Sequence, residues 1–351
     1  MNGILSGFSL LISLSVFITL VRNDYWLFKI MEYPRLQKLA IVLATLVVWV
    51  VVRPFEGLAP KIIFGLLCLA AGYLIYKISP YTIFTPKEMK KAGGKLEDEL
   101  KVYAANVYQD NTQYQRLLQQ IRSCDPDIIF LLETNGAWAR AMKELEEDYP
   151  YTLKEPLENT YGLLFFSRLK LEDAKVSYLV KKGVPSIEAK LELPSGQKVK
   201  LWGLHPEPPV PGENLYSTAK DKELMKVAFK AKECDLPCIV FGDLNDVAWS
   251  HTTELFRKTS ELLDPRRGRG FYATFSAHSW FIRFPLDYIF CSPHFELIEM
   301  KRLPKNGSDH FATLTHLAFT GIEEKQETPK ADSEELRDAK ETATKEVPAE
   351  E

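Results

Sequence analysis

Three long apolar runs without a charged residue lie near the start of this 351-residue chain. The first, residues 3–21, is long enough for a helix to cross a bilayer. The other two, residues 39–52 and 62–76, are short for a full crossing, but basic residues at their ends can extend toward the head groups. We therefore predict three transmembrane helices within residues 1–85. A re-entrant hairpin in place of the second and third helices is the alternative.

The distribution of basic residues predicts the orientation of this membrane segment. One side of the predicted membrane carries nine of them: Arg22, Lys29, Arg35, Lys38, Lys77, Lys87, Lys90, Lys91 and Lys95. The other side carries only Arg53 and Lys61. Because basic loops stay on the cytoplasmic side, we predict an integral protein of the cell membrane whose remaining chain lies in the cytoplasm.

The ends of the remaining chain differ in composition from its middle. Residues 86–96, with the pair Gly93 and Gly94, are predicted to be a linker. Residues 321–351 contain 11 acidic and 5 basic residues and no aromatic residue, which predicts a disordered charged tail. Five cysteines without metal-type spacing do not suggest a disulfide framework. No protein partner is predicted.

Residues 97–320 form the predicted soluble domain, in which Asp243 and Asn245 follow a buried strand. Residues 239–241 are apolar, Gly242 lets the backbone turn, and the two polar residues come where the strand ends. Side chains two residues apart point the same way while the chain is extended. An acid and an amide therefore reach one place, where the acid can activate water and the amide can donate to an oxyanion.

Other predicted strands also end or begin at polar residues. Glu133 follows the nearly continuous apolar strand of residues 127–132, and there it is either a helix cap or a ligand of a hard cation. The full set is Asn106, Glu133, His205, Asp243, Asn245, Asp287, Asp309 and His310. Strands alternate with helices early in the domain and form hairpins in its middle, which predicts an α/β fold of mixed sheets covered by helices. No glycine-rich phosphate loop occurs.

The order of these motifs resembles the endonuclease/exonuclease/phosphatase superfamily, over about residues 100–319. Its members include nucleases, sphingomyelinases and inositol polyphosphate phosphatases. The matching pieces are Asn106-Val107, Pro126-Asp127 leading to Glu133, Tyr161-Gly162 with Ser167-Arg168, His205-Pro206, Gly242-Asp243-Leu244-Asn245, Leu286-Asp287-Tyr288 and Ser308-Asp309-His310. A membrane-anchored bacterial branch looks similar as well, including Trp249-Ser250. Two positions depart from the family pattern: Leu132 stands where Gln is common and Ala312 where Pro is common.

The resemblance implies a four-layer α/β sandwich with the site at one edge of two packed mixed β-sheets flanked by helices. It also implies Mg²⁺ or Mn²⁺ held by Glu133, with Asn106 and Asp309 nearby. Carboxylate and amide oxygens suit these hard cations.

The same resemblance implies the catalytic roles. Asp243 would orient or deprotonate the attacking water, and Asn245 would hold that water or a phosphate oxygen. His310, held and kept basic by Asp287, would bind the phosphoryl oxygen. His205 would donate to a phosphate oxygen or assist the leaving group.

These features predict a membrane-anchored, metal-dependent hydrolase of phosphate esters, acting on a lipid or a small molecule and positioned at the lipid bilayer. A metal-dependent nuclease and a catalytically inactive, membrane-tethered binding module are the alternatives. Without its tail the chain sums to only +3, whereas proteins that bind long nucleic acid have a broad basic surface. The sequence leaves open whether the substrate is a diester or a monoester.

The predicted orientation can be tested by labelling in intact cells. A cysteine introduced into residues 322–351 should not react with a membrane-impermeant thiol reagent, because the tail lies inside. A cysteine at Glu56, between the second and third helices, should react and is the positive control. Efficient labelling of the tail would place the soluble domain outside the cell.

Overall fold

The protein is described by a computed structural model, which covers residues 2–52, 54–93, 98–321 and 326–348. Arg53, residues 94–96 of the predicted linker, and residues 322–325 and 349–351 of the predicted tail lie outside the described residues.

The described part of the predicted membrane segment contains four α-helices: α1 Asn2–Phe17, α2 Trp26–Ile30, α3 Arg35–Val52 and α4 Leu58–Ile78. Helices α1, α3 and α4 lie in three segments that are long and apolar enough to cross a membrane. They pack around the buried Trp49, whose indole Nε1 donates to Ser9 Oγ at 2.8 Å. This bond satisfies a polar group that lipid could not. The short α2 lies in the connection between α1 and α3.

The domain that follows contains two mixed β-sheets. Its strands are β1 Asp98–Asn106, β2 Ile128–Leu132, β3 Tyr151–Glu155, β4 Leu163–Ser167, β5 Leu171–Ser177, β6 Ser186–Glu192, β7 Lys198–Leu204, β8 Cys238–Asp243, β9 Asp287–Cys291, β10 Phe295–Arg302 and β11 Thr313–Phe319. One sheet has the order β10-β11-β1-β2-β4-β3, and the other has the order β5-β6-β7-β8-β9. Only β1–β2 and β7–β8 are parallel pairs.

Helices cover the outer face of each sheet. They are α5 Tyr114–Cys124, α6 Gly136–Ala141, α7 Thr218–Lys232, α8 His251–Ser260 and α9 Ser333–Thr344. The core between the sheets includes Phe130 and Phe165 from one sheet and Phe241 from the other, with Phe130 edge-on to Phe241. A second core lies under α5 and α6 and a third under α7 and α8. The predicted four-layer α/β sandwich is confirmed.

The prediction of a disordered tail is wrong for residues 333–344. They form α9, whose first turn is closed by a capping box between Asp332 and Glu335. The helix docks through the buried Ala339, and Lys258 pairs with Glu335 at 2.6 Å. Composition predicted disorder because the tail lacks large apolar residues. A capped helix with one small buried residue and ion pairs can nevertheless dock on an existing surface.

The predicted linker, in its described part, is fixed to the domain. Met89 is fully buried in the core between the sheets. Glu88 accepts from Arg257 at 2.9 Å and pairs with Arg267 at 2.6 Å, and all three side chains are largely buried. The connection therefore holds the membrane segment close to the domain. The glycine pair is typical of a linker, but the single apolar residue Met89 is enough to anchor this stretch to the core.

The connection between α1 and α3 also contacts the domain. Arg35 donates to the carbonyl of Trp249 at 2.8 Å, and the indole of Trp249 donates to the carbonyl of Glu32 at 2.8 Å. Lys29 pairs with Asp221 of α7 at 2.8 Å. These buried polar contacts attach the domain to the membrane segment at a second place.

Buried Glu223 of α7 predicts that stability depends on pH. Its carboxylate accepts from Ser186 Oγ at 2.6 Å, and burial raises the pKa of Glu223 to about 7. Between the ordinary pKa of a glutamate and this raised pKa, the folded state binds more protons than the unfolded state. The free energy of unfolding therefore falls as pH rises through that window. We expect Glu223→Gln to raise the free energy of unfolding near pH 8 by about 1–3 kcal/mol.

The measurement is the melting temperature in detergent at about pH 5 and about pH 8, with little change expected at the lower pH. The exposed Glu233 at the end of the same helix provides the control Glu233→Gln, which should change neither value. Equal melting temperatures for Glu223→Gln and the wild type at the higher pH would contradict the assignment.

Candidate active site

The two parallel strand pairs bring four polar side chains to one edge of the sandwich. Asn106 ends β1 and Glu133 follows β2, its parallel neighbour. His205 follows β7 and Asp243 ends β8, its parallel neighbour in the other sheet. Because parallel strands end at the same edge, each pair lies side by side.

Antiparallel strands bring the remaining residues to that edge from their starts. Asp287 begins β9 and lies opposite Asp243 in the β8–β9 ladder. Asp309 and His310 precede β11, the antiparallel neighbour of β1. Their position before β11 places them where β1 ends.

The backbone around these ends has constrained positions. A Cβ on Gly242 would lie 2.0 Å from the carbonyl oxygen of Leu204, so only glycine fits between β7 and β8 there. Glu133 and Asn245 have φ values of +58° and +49°. Such values are uncommon for residues with a side chain and often occur at functional sites. Asn245 is held by its N–H, which donates to Asp243 Oδ1 at 2.9 Å.

The amide of Asn106 connects carboxylates from the two sheets. Its Nδ2 donates to Glu133 Oε1 at 2.7 Å and to Asp243 Oδ2 at 3.1 Å. Its oxygen accepts from the N–H of Tyr108 at 3.1 Å, which fixes the orientation of the amide. In this orientation Asn106 does not offer an oxygen to a cation beside Glu133. Its structural role here is to orient both carboxylates, and metal ligation by Asn106 stays a prediction.

His310 lies between two acids. Its Nδ1 is 2.9 Å from Asp287 Oδ2, and its Nε2 is 3.6 Å from Asp243 Oδ2. Burial opposes the charged imidazole, but Asp287 and Asp243 outweigh burial and raise the pKa of His310 to about 10. Burial, opposed by His310, raises the pKa of Asp243 to about 7. The geometry therefore favours an imidazolium that donates from Nε2.

His205 is different, because no acid among the described residues forms an ion pair or a hydrogen bond with it. It is buried, and burial lowers the pKa of His205 to about 3. Its ring tilts against Tyr161 with the centroids 5.3 Å apart, and its buried Nδ1 has no hydrogen-bond partner. A neutral imidazole can still donate from one nitrogen, so the predicted contact with a phosphate oxygen remains chemically possible.

A cavity of about 330 Å³ opens at this edge. Its lining includes five of the predicted site residues: Glu133, His205, Asn245, Asp309 and His310. Asn106, Asp243 and Asp287 are buried and hydrogen-bonded to these residues or to each other. The structure thus brings all eight together, with Asp243 behind the cavity wall rather than on it. A cavity of about 400 Å³ beside α9 contains none of the eight.

Sequence reasoning missed part of this lining. Tyr33, from the connection between α1 and α3, lines the cavity, and its hydroxyl donates to the carbonyl of Asn245 at 2.7 Å. Glu213 lines it as well and accepts from the hydroxyl of Tyr161. Tyr33 stood out in the sequence only as an aromatic residue near a predicted membrane boundary. No signal in the sequence connects it with a strand end more than 200 positions later.

The arginine run of residues 266–269 is not free to steer an anionic substrate. Arg266 is buried and pairs with Asp264 at 2.7 Å. Arg267 pairs with Glu88, and Arg269 donates to the carbonyl of Pro265 at 2.9 Å. These side chains hold the domain to the 79–93 segment.

The donor chemistry of the cavity wall fits a hard divalent cation. Glu133 Oε2 accepts only a long 3.4 Å contact from the N–H of Gln109. Burial and, to a smaller degree, the nearby carboxylate of Asp309 raise the pKa of Glu133. Two acids on one wall repel each other, and a cation between them removes that cost. The ligand atoms of Asp243, Asp287 and His310 also lie within 4.8 Å of one another, but hydrogen bonds already connect them.

Solved structures share this fold. Danio rerio TDP2 in complex with a single-strand DNA product is 19% identical, covers 62% of this chain and 98% of its own, and superposes with a TM-score of 0.52. The catalytic domain of human Nocturnin with a bound sulfate anion is 18% identical, covers 64% and 97%, and gives a TM-score of 0.51. An endonuclease/exonuclease/phosphatase from Beutenbergia cavernae is 18% identical, covers 64% and 72%, and gives 0.50. Identities this low show the fold alone.

Sequence comparison identifies the family. No curated protein matches the chain. The model of the Endonuclease/Exonuclease/phosphatase family matches residues 103–310, which is more than half of the chain and includes all eight predicted site residues. The chain therefore belongs to the Endonuclease/Exonuclease/phosphatase family.

Proposed function

We propose that this protein is a membrane-anchored, divalent-metal-dependent hydrolase of phosphate esters, in which water attacks phosphorus. The observation that carries the proposal is the convergence of acids, amides and histidines from both sheets on one cavity. Their chemistry suits a phosphoryl group: carboxylates can hold a cation, and an imidazolium and amides can donate to phosphate oxygens.

Glu133 and Asp309 would hold Mg²⁺ or Mn²⁺, with Asn106 orienting Glu133. When bound, the cation neutralises phosphate charge and stabilises the negative charge that develops on the phosphoryl oxygens. Family members generally act with a divalent metal, and the two acids on the cavity wall support the same choice here.

His310 would donate from Nε2 to a phosphoryl oxygen. Asp287 holds the opposite nitrogen and so fixes both the orientation of the ring and its charge. The carboxylate of Asp243 lies 3.6 Å from the same Nε2 and accepts a hydrogen bond from the N–H of Asn245. Because Asp243 is buried, it would orient the attacking water through His310 and Asn245. Burial raises the pKa of Asp243, which is compatible with its accepting a proton from that water.

Asn245 and His205 would contact the phosphate from the side of the second sheet. One N–H of the Asn245 side chain donates to the carbonyl of Pro206 at 2.9 Å, which leaves its other N–H for a ligand. His205 stays neutral and would donate to a phosphate oxygen or to the leaving group.

A nuclease is the second candidate. TDP2, one of the similar structures, is complexed with a single-strand DNA product, which favours this alternative. Against it, the arginine run is occupied by ion pairs and carbonyls, and Glu213 places a further acid on the cavity wall. The inactive binding module is the third candidate. The complete set of acids, amides and histidines at one cavity argues against it, because a binding module without activity has no need to keep all of them.

We also propose that the protein resides in the cell membrane with this domain in the cytoplasm, as the excess of basic residues on that side indicates.

Metal dependence is the first test of the proposed function. Activity of the full chain in detergent on bis-p-nitrophenyl phosphate and p-nitrophenyl phosphate should be abolished by EDTA and restored by Mg²⁺ or Mn²⁺. Glu133→Gln keeps the shape and removes the charge, so Mn²⁺ binding measured by calorimetry should weaken while the melting temperature in EDTA stays the same. Glu155→Gln, at the end of edge strand β3, is the control. Full activity in EDTA would overturn the metal assignment.

The second test removes the groups that would act on the phosphoryl oxygen. His310→Ala and Asp243→Asn should each lower kcat by about a hundredfold, and the double variant should lose less than the product of the two. His316→Ala is the matched control, because His316 also pairs with a carboxylate, Glu99 at 2.9 Å, but away from the cavity. Wild-type kcat in either variant would mean that the reaction occurs elsewhere.

A further inference from the structure

An exposed apolar tip lies beside the cavity, in the loop of residues 276–284. Trp280, Phe281 and Ile282 expose 86%, 50% and 55% of their surface. Three consecutive large apolar residues in water are unusual for a soluble surface and mark a contact with another apolar phase or partner.

The loop that carries the apolar tip is held in shape. The backbone N–H groups of Phe281 and Ile282 donate to Ser279 Oγ at 3.1 and 2.8 Å. At its base, the N–H of Ser276 donates to the carbonyl of Ile282 at 3.2 Å, and Phe275 pairs with Phe284. These bonds hold the apolar side chains outward, so their exposure is part of the loop's structure.

The position of the apolar tip indicates what covers it. The side-chain amide of Gln37 donates to the carbonyl of Phe281 at 2.8 Å. Gln37 lies in the first turn of α3, two residues before the uncharged run that begins at Leu39. At a rise of about 1.5 Å per residue, the tip is level with the boundary between head groups and hydrocarbon. Tryptophan and other aromatic residues are enriched at that depth.

The same structural elements form one side of the cavity. Phe275, at the base of the loop, lines the cavity and lies 5.0 Å from the ring of His310. Tyr33, which precedes α3, lines it too and packs edge-on against Phe284 at 5.5 Å. The cavity therefore lies directly beside the two segments that reach the membrane surface.

We propose that Trp280, Phe281 and Ile282 insert into the head-group region of the bilayer crossed by α1, α3 and α4, and that the cavity receives its phosphate ester from a lipid head group at this surface. The inference rests on the proposed function and names the surface from which the substrate comes. Arg283, directly after the tip, donates from Nε to the carbonyl of Ser279 at 2.7 Å and so helps to hold the loop in shape.

Insertion of the apolar tip is tested without reference to activity. The full chain is reconstituted into vesicles of phosphatidylcholine and phosphatidylglycerol, with and without brominated acyl chains. Wild-type tryptophan fluorescence should be quenched more than that of Trp280→Phe, because Trp280 lies within reach of the bromines. Equal quenching of the two proteins would overturn the insertion.

The source of the substrate is tested with Trp280→Ser/Phe281→Ser/Ile282→Ser in the same vesicles with Mg²⁺ or Mn²⁺. We expect release of phosphorylated or free head groups to fall by about tenfold or more. Hydrolysis of bis-p-nitrophenyl phosphate or p-nitrophenyl phosphate, whichever the wild type cleaves, should stay unchanged. The control Tyr178→Ser removes an exposed aromatic residue that follows β5, the edge strand farthest from β9 in its sheet, and should change neither rate.

The outcomes separate this inference from the proposed function. Turnover of the soluble ester without any hydrolysis of vesicle lipid would overturn the lipid source and leave the hydrolase intact. Equal lipid hydrolysis by the triple variant and the wild type would overturn the role of the apolar tip. No turnover of either substrate would overturn the proposed function and the lipid source together. Conversion of a wild-type dimer to a monomer by the triple variant would assign the tip to a second copy of the chain.

Discussion

The site depends on one amide group that joins the two sheets. Asn106 donates to Glu133 from its own sheet and to Asp243 from the other, with its oxygen fixed by the backbone of Tyr108. Removal of this amide would leave two largely buried carboxylates facing each other without a donor between them. Buried acids that lose a donor are costly, so this one contact both joins the two strand ends across the apolar core and stabilises the charges of the site.

The charged groups of the site lie in two layers, one on the cavity wall and one behind it. Glu133 and Asp309 face the cavity as an acidic wall, whereas Asp243 and Asp287 lie behind His310 and keep it charged. Under the proposed function, an anion in the cavity would therefore meet an imidazolium on one side and the cation on the other. The acids on the cavity wall are placed to bind a cation, whereas the acids behind it stabilise the charged imidazole of His310.

Local sequence predicted the fold, and it predicted which polar side chains lie together, wherever a strand end determines the position of a side chain. A continuous apolar run followed by an acid, as at Glu133, predicts both the strand and the position of the acid at its end. The parallel pairing of β1 with β2 then places Glu133 beside Asn106. Docking between distant segments was not predictable in this way. Tyr33 reaches Asn245 through tertiary packing, and α9 docks through one alanine, so neither contact leaves a periodic pattern in the sequence. The inward orientation of the Asn106 nitrogen likewise depends on a backbone N–H that no motif records.

The domain is attached to the membrane segment at two places, between α1 and α3 and after α4. Tyr33 bonds to the strand end at Asn245 only two positions before α3 begins, and Glu88 holds the chain after α4 to Arg257 and Arg267. These contacts connect the helices directly to the cavity wall. A transmembrane helix changes its tilt when the thickness of the bilayer changes. If the three helices cross a bilayer as proposed, a change in their tilt would pull on the bond between Tyr33 and Asn245, and the thickness of the surrounding membrane would then act on the shape of the cavity.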